Sequence, residues 1–195
     1  MKCEKRKFGL KLQHRRVLVA SFETERLLGI PLTAENYRSF AEGSEPQWDG
    51  FTNPYHHLIE GPSPLQHRIP RVAKDPSFAE IGIILAVTKD SREVIGSAGF
   101  HDFPDSNGMI EIGFGIVDEM QNRGFGQELL IGMWRMITKR SDVKILRYTV
   151  EPNNEPSVHI VNKYGFTKVG EQVDPEDGLE LIYEQSVQEF LKRAQ

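Results

Sequence analysis

Cysteine occurs once in the 195 residues, at Cys3, which excludes an internal disulfide framework and fits a reducing compartment. Long hydrophobic runs are missing as well. No apolar stretch approaches the roughly 20 residues that cross a bilayer, and Val17 to Ala20, the run after the basic start, is too short for a secretory signal. Charge of one sign does not dominate: the net charge of −4 and pI near 5.9 give no support to nucleic-acid binding by the domain. Fixed-period repeats and low-complexity tracts are absent. The histidines His56, His57 and His67 have no carboxylate or cysteine at a recognisable ligand spacing, so no metal site is expected. What is present is ordinary for a globular chain, 38% hydrophobic and 27% charged. Its length suits one domain burying roughly 70% of its unfolded surface.

The stretch from Ile110 to Leu130, IEIGFGIVDEMQNRGFGQELL, organises the rest. Ile110, Ile112, Phe114, Ile116 and Val117 suit a buried strand. Gln121-Asn122-Arg123-Gly124-Phe125-Gly126 makes a glycine-rich turn, and Leu129, Leu130, Met133, Trp134 and Ile137 continue with helical spacing. Strand, turn and helix start in this order aim backbone N–H groups and a helix dipole at one spot, where a phosphate fits. A P-loop is excluded, because Gly126 is followed by Gln127 and Glu128 rather than Lys and Ser or Thr. A Rossmann fingerprint is excluded by Leu129, three positions after Gly126. The remaining match, Q-x-x-G-x-G, resembles the acetyl-CoA pyrophosphate loop of the GCN5-related N-acetyltransferases (GNAT).

Other parts of the chain carry the resemblance further. Asn154 precedes Phe166 by twelve residues, the spacing of the family's ending, in which an asparagine leads into a short helix and then Gly-Phe. Val94-Ile95-Gly96-Ser97-Ala98-Gly99 is similar to its "IG" strand, with small residues that admit close backbone approach. Thr24-Glu25-Arg26-Leu27 followed by Pro31-Leu32-Thr33 resembles the opening of the RimJ/RimL-type branch, which modifies protein amino termini, although Gly29 and Ile30 depart from it. Before it, seven Lys or Arg stand against Glu4 alone in residues 2–16, read as a basic leader over 1–23.

The sequence predicts a first strand over about 25–31, a helix capped by Thr33, strands over 81–87 and 93–100, and the central strand over 110–117. After the helix come strands over 145–150, 167–172 and 179–187, with a short helix over 158–164 and a tail helix over 188–195. Residues 43–79 hold six of the eleven prolines together with Trp48, Phe51, Tyr55, His56, His57 and His67. This segment is expected to be irregular and to line the acceptor pocket, since the family places acceptor-recognising elements between its first two strands. His101 and Asp102 read first as polar residues that end the strand 93–100; the alternative places them near the mouth of the expected site.

Acetyl transfer to an amine needs a neutral nucleophile, a polarised carbonyl and a protonated leaving thiolate. A carboxylate in a low-dielectric cleft serves as base, because desolvation raises its pKa. Glu111 is that candidate by family spacing, ten residues before Gln121; the alternative is a glutamate on the open face of the sheet. The resemblance implies a bulge at Phe114-Gly115-Ile116-Val117, with the backbone of Ile116 and Val117 binding pantetheine and polarising the thioester. It implies pyrophosphate binding by the amides of Asn122, Arg123, Gly124, Phe125, Gly126 and Gln127, with Arg123 adding charge. Asn154 would bind pantetheine or cap the helix. The family's usual acid position holds Val161, so Ser157, Tyr164 and solvent remain as proton donors.

The expected fold is α/β, a mixed and mostly antiparallel sheet of six or seven strands, splayed between the fourth and fifth, with about four helices. The domain is expected over 24–187. The implied activity is acetyl-CoA-dependent N-acetylation of a primary amine, on a protein amino terminus or a small molecule, by direct attack and without metal. The competing class is a non-catalytic acyl-CoA-binding or regulatory domain. No membrane or nucleic-acid partner is expected, the cytoplasm is the expected location, and a homodimer is compatible with the family.

Overall fold

Continuous apolar runs in the middle strands and apolar–polar alternation in later ones, interrupted by helical stripes, yield a sheet covered by helices. The computed structural model describes residues 20–60, 63–175 and 178–193. In chain order the elements are β1 (Phe22–Glu23), β2 (Leu27–Pro31), α1 (Ala34–Ala41), α2 (Leu65–Lys74), α3 (Ala79–Gly82), β3 (Ile84–Thr88) and β4 (Val94–Phe100). They continue with β5 (Met109–Ile116), α4 (Phe125–Ile137), β6 (Ile145–Val150), α5 (Glu155–Lys163), β7 (Thr167–Asp174), β8 (Gly178–Ser186) and α6 (Val187–Arg193). The eight strands form one sheet in the order β1-β2-β3-β4-β5-β6-β8-β7. Every pair is antiparallel except β5 with β6, where the helical crossover through α4 returns the chain in the same direction.

Two expected counts need correction. The sheet has eight strands among the described residues rather than six or seven, because Phe22 and Glu23 pair with Gly29 and Leu28. Phe22 is held there by contact: a Cβ at Gly29 or at Gly132 would run into its ring. Among the described residues there are six α-helices rather than about four. The additions α2 and α3 lie in and just after the proline-rich segment. Between Pro64 and Pro76 enough chain remains for ten helical residues, and Pro70 inside α2 costs the hydrogen bond its missing N–H would make. Tertiary burial of Leu65 and Val72 outweighs that loss. Of the basic leader, residues 1–19 lie outside the described residues.

Local signals held where chemistry was specific. Thr33 caps α1 through a capping box with Asn36, and Asn154 caps α5 by accepting from the Ser157 N–H at 3.2 Å. The core is centred on α4, whose Leu129, Leu130, Met133 and Trp134 have no exposed surface. Trp134 stacks on Phe166 at 4.6 Å and meets Phe190 of α6 edge-on at 5.6 Å. The tail helix is thus packed into the core of the sheet domain.

The pairing of β5 with β6 positions the site. It runs from Met109↔Ile145 to Ile112↔Tyr148 and then stops, while β5 continues to Ile116 and β6 to Val150. The two strands diverge from that point. The expected bulge over Phe114 to Val117 is not found: β4 and β5 stay in register from Phe100↔Ile112 to Gly96↔Ile116. Departure of β6, not an inserted residue, leaves that edge of β5 unpaired.

Candidate active site

Backbone alternation decides what the unpaired edge offers. The Val117 N–H donates to the Ile95 carbonyl at 3.0 Å, and the Glu111 carbonyl accepts from the His101 N–H at 2.9 Å. Odd-numbered residues of β5 therefore bond β4, while Phe114 and Ile116 turn their N–H and C=O groups toward the opening. Of the two residues expected to supply backbone groups, Ile116 keeps this geometry and Val117 has its N–H engaged.

Next to this edge the glycine-rich turn folds as its sequence dictates. Asn122 and Gly124 both adopt positive φ, +58° and +80°, which curls successive N–H groups toward one point. Gly124 begins α4 without any side-chain cap, so the first-turn amides of Phe125, Gly126 and Gln127 have no capping side chain. Gln121 acts as a strut, donating from Nε2 to the Ile116 carbonyl at 3.0 Å and to Asp118 Oδ1 at 2.8 Å. The groove so formed has a volume of about 430 Å³. It brings together Ile116, Asn122, Gly124, Phe125, Gly126 and Gln127 with Asn154 and Ser157 from the start of α5. Arg123 does not line it; its carbonyl accepts from Arg26 Nη1 at 3.0 Å.

Arg26 explains the T-E-R-L opening. Glu128, in the first turn of α4, accepts from Thr24 Oγ1 at 2.5 Å, the Arg26 N–H at 2.7 Å and Arg26 Nε at 2.7 Å. The Arg26 guanidinium also lies 4.1 Å from the centre of the Phe125 ring. Strand β2 is thereby tied to the turn. Burial alone would raise the Glu128 carboxyl, but the bonds from Thr24 and Arg26 outweigh it and hold it below the ordinary glutamate value. Glu128→Ala is expected to cost about 2 kcal/mol and to loosen the turn that Arg26 braces; a denaturation midpoint checks the loss. Since the folded-state pKa is depressed, this stabilisation is present at neutral pH and is lost as pH falls through it.

A second cavity, of about 500 Å³, opens on the other face of β5. Its walls include His57 and His67 from the proline-rich segment, Arg68 from α2, and Ser97, His101 and Gly113. Trp48 and Phe51 line a different hollow below β2. Phe114 and Gly115 line both the groove and this cavity, so the two meet through the unpaired length of β5.

His57 Nε2 lies 2.8 Å from Ser97 Oγ, which pins the segment to β4. Burial lowers the His57 pKa to about 4. The unfolded chain then takes up this proton near the ordinary 6.5 and the folded chain resists it, so stability should fall as pH drops between these values. The change is on the order of 3 kcal/mol, and a His57→Asn variant should show a flatter dependence of melting temperature on pH.

Glu111 stands on the cavity face of β5, with a side chain 18% exposed. Thr149 Oγ1 donates to its Oε1 at 2.8 Å, and His101 Nδ1 lies 3.7 Å from the same oxygen. His101 reaches the cavity because Gly113 makes room; a Cβ there would come within 2.9 Å of His101 Nε2. Loss of water around the ring lowers the His101 pKa, with Glu111 pulling the other way. The imidazole is therefore neutral at pH 7 and able to accept a proton.

The two named acid candidates separate. Ser157 is buried at the groove and its Oγ accepts from Tyr148 Oη at 3.2 Å. Tyr164 lines a hollow beside β1 and α4, with its hydroxyl 3.4 Å from Gln127 Nε2. Val161 is fully buried in the core. Tyr148 escaped the sequence reading: it lines the groove, packs on Phe114 at 5.8 Å, and burial pushes its phenol up to about 12. A tyrosine at an inward position of an apolar strand was the available signal. Among the described residues no three His, Cys, Asp or Glu side chains are grouped to hold a metal ion, and no helix is long and apolar enough to cross a membrane.

Comparisons with known proteins agree with this geometry. A family model described as "Acetyltransferase (GNAT) domain" matches residues 26–167. The uncharacterized N-acetyltransferase YjdG of Bacillus subtilis (strain 168) is 33% identical over 82 residues, 42% of this chain and 49% of the relative. The uncharacterized N-acetyltransferase p20 of Bacillus licheniformis is 30% identical over 84 residues, 43% of this chain and 47% of the relative. The matched stretch thus spans about half the length of these curated relatives. In fold, the chain resembles mutant forms of the spermidine/spermine N-acetyltransferase SpeG from Vibrio cholerae, with TM-score 0.63 at 14% identity over 88% of this chain and 100% of that one. A GNAT-family acetyltransferase from Bacillus anthracis gives 0.58 at 17% identity over 86% and 98%. With the family model covering most of its length and the splayed strands, turn and capped helix all in place, the chain belongs to the GNAT acetyltransferase family.

Proposed function

We propose that this protein transfers an acetyl group from acetyl-CoA to a primary amine by direct attack. The observation that carries the reading is the meeting of groove and cavity at Phe114 and Gly115. A donor held on one side of β5 and an acceptor on the other come together there. The groove fits the co-substrate: curled N–H groups and an uncapped helix start for its pyrophosphate, and the outward N–H and C=O groups of β5 for its pantetheine arm. Acetyl-CoA supplies the acyl group as a thioester.

The chain's own residues divide the remaining work. The Phe114 and Ile116 N–H groups are the donors available to a carbonyl oxygen that gains negative charge. As the amine nitrogen bonds the acyl carbon and the carbon–sulfur bond breaks, the amine proton passes to the His101–Glu111 pair, directly or through water. Tyr148, held at about 12, keeps its one proton and donates it in a hydrogen bond to Ser157 Oγ, which leaves the Ser157 hydroxyl to donate a hydrogen bond to the leaving sulfur, a thiol of ordinary pKa about 8.5. The proton on sulfur then comes from solvent along that pair.

The acceptor is a peptide amino terminus, by resemblance to the RimJ/RimL-type branch, or a small-molecule amine, and the setting we favour is the cytoplasm. Burial of Val161 at the position of the usual acid motivates the competing reading of a non-catalytic acyl-CoA-binding domain. Acetyl-CoA titration in a thermal melt, followed by an acceptor screen read by mass gain, separates the two. Stabilisation without turnover of any amine favours the binding domain, and no stabilisation removes both.

A further inference from the structure

The acceptor cavity contains an arginine where the helix pattern calls for an apolar residue. Leu65, Arg68 and Val72 are the buried residues of α2, at the spacing of one helical face. Arg68 retains only 9% of its surface, and its Nε is buried without a hydrogen-bond partner. No ion pair uses it among the described residues. Carboxylates near the cavity are bonded elsewhere: Asp102 pairs with Arg71 and favours the Arg68 charge only from a distance, opposed there by Arg71, and Glu111 accepts from Thr149. The Tyr37 hydroxyl beside it brings no compensating charge, since burial pushes that phenol well above its ordinary range. Among the described residues, no Asp or Glu lines the cavity, whereas His57, His67 and His101 do.

A buried cation without a direct ion pair is costly, and removing one to a well-packed apolar residue often stabilises. Retaining Arg68 makes physical sense if an anion arrives with a ligand. We propose that the acceptor is an amine that also carries a carboxylate, and that Arg68 binds this carboxylate inside the cavity while the amine lies toward Phe114 and Gly115. The inference rests on the acetyl-transfer reading above and narrows its substrate class. A polyamine is the wrong acceptor for this wall, which offers the Arg68 cation and, among the described residues, no lining carboxylate. Two sources share the required chemistry, a free amino acid through its α-carboxylate and a peptide whose first residue is acidic.

Matched acceptors test it. Initial rates with acetyl-CoA are measured for phenylalanine against phenylalaninamide, for Asp-Ala-amide against Asn-Ala-amide, and for spermidine. A charge-assisted contact to Arg68 predicts a kcat/KM about 10-fold or more higher for the acidic member of one pair. The pair that shows it identifies the source. Arg68→Leu should bring that ratio near unity while keeping the acetyl-CoA thermal shift, and should melt at or above wild type because leucine suits the apolar face. Arg68→Lys should retain part of the preference, which a purely structural arginine would not produce. Preference for the amides or for spermidine overturns the proposal. So does a preference that survives in Arg68→Leu, or failure of every acidic amine to be acetylated by protein that binds acetyl-CoA. Loss of acetyl-CoA binding in the wild type is a different failure, which removes the acetyl-transfer reading itself.

Discussion

Replacing Glu111 with glutamine is expected to lower kcat/KM at neutral pH by about 10²–10⁴-fold, the range for loss of a positioned general base, without reducing the thermal shift given by acetyl-CoA. Glutamine keeps the shape and can still accept the bond that Thr149 Oγ1 makes to Oε1 at 2.8 Å. It cannot hold a proton or a negative charge. The position also lies outside the residues that line the groove, so co-substrate binding should be spared. A pH profile adds a second reading. Glu111 raises the His101 pKa against the desolvation that lowers it. Without the carboxylate, the imidazole should protonate at lower pH still, and the acid limb of the residual activity should move down. Turnover close to wild type in Glu111→Gln would remove this residue from the chemistry.

Acetyl-CoA is expected to stabilise the wild-type protein, and Gly124→Val is expected to abolish that effect. At 100 times Kd that stabilisation is about 2.7 kcal/mol, or roughly 5–11 °C for a domain of this size. Space is not the reason, since the nearest atom to a Cβ at Gly124 is Arg26 Nη2 at 3.5 Å. The reason is φ of +80°, which costs a non-glycine residue about 1–2 kcal/mol and a β-branched one more. The backbone would relax away from that conformation, turning the amides of the turn off their common point. Gly124→Ala should fall between the two. An undiminished shift in Gly124→Val would place the pyrophosphate elsewhere.

Much of the fold was legible because its signals are local. The Thr33 and Asn154 caps, the glycine turn and the apolar stripe of α4 each depend on a few neighbouring residues. Helix α2 was not legible, since four prolines from Pro62 to Pro76 argue against it and only burial against the rest of the chain overrides them. Strand β1 is two residues long and carries no periodicity; Phe22 finds its place through contact with β2 and α4.

The site divides in the same way. By itself, the sequence determined the family, the glycine-rich turn between β5 and α4, and Glu111 on the central strand, because spacing along the chain carries that information. Tertiary structure alone decided that Val117 spends its N–H on Ile95, that Tyr148 joins Ser157 at the groove, and that Tyr164 faces a different hollow. It also decided that Arg68 stands buried among histidines, separated from Glu111 by forty-three residues of chain but on the same side of β5. Those facts depend on strand register and on which helix covers which face. Both are fixed by contacts between residues far apart in sequence, whose partners no local pattern names.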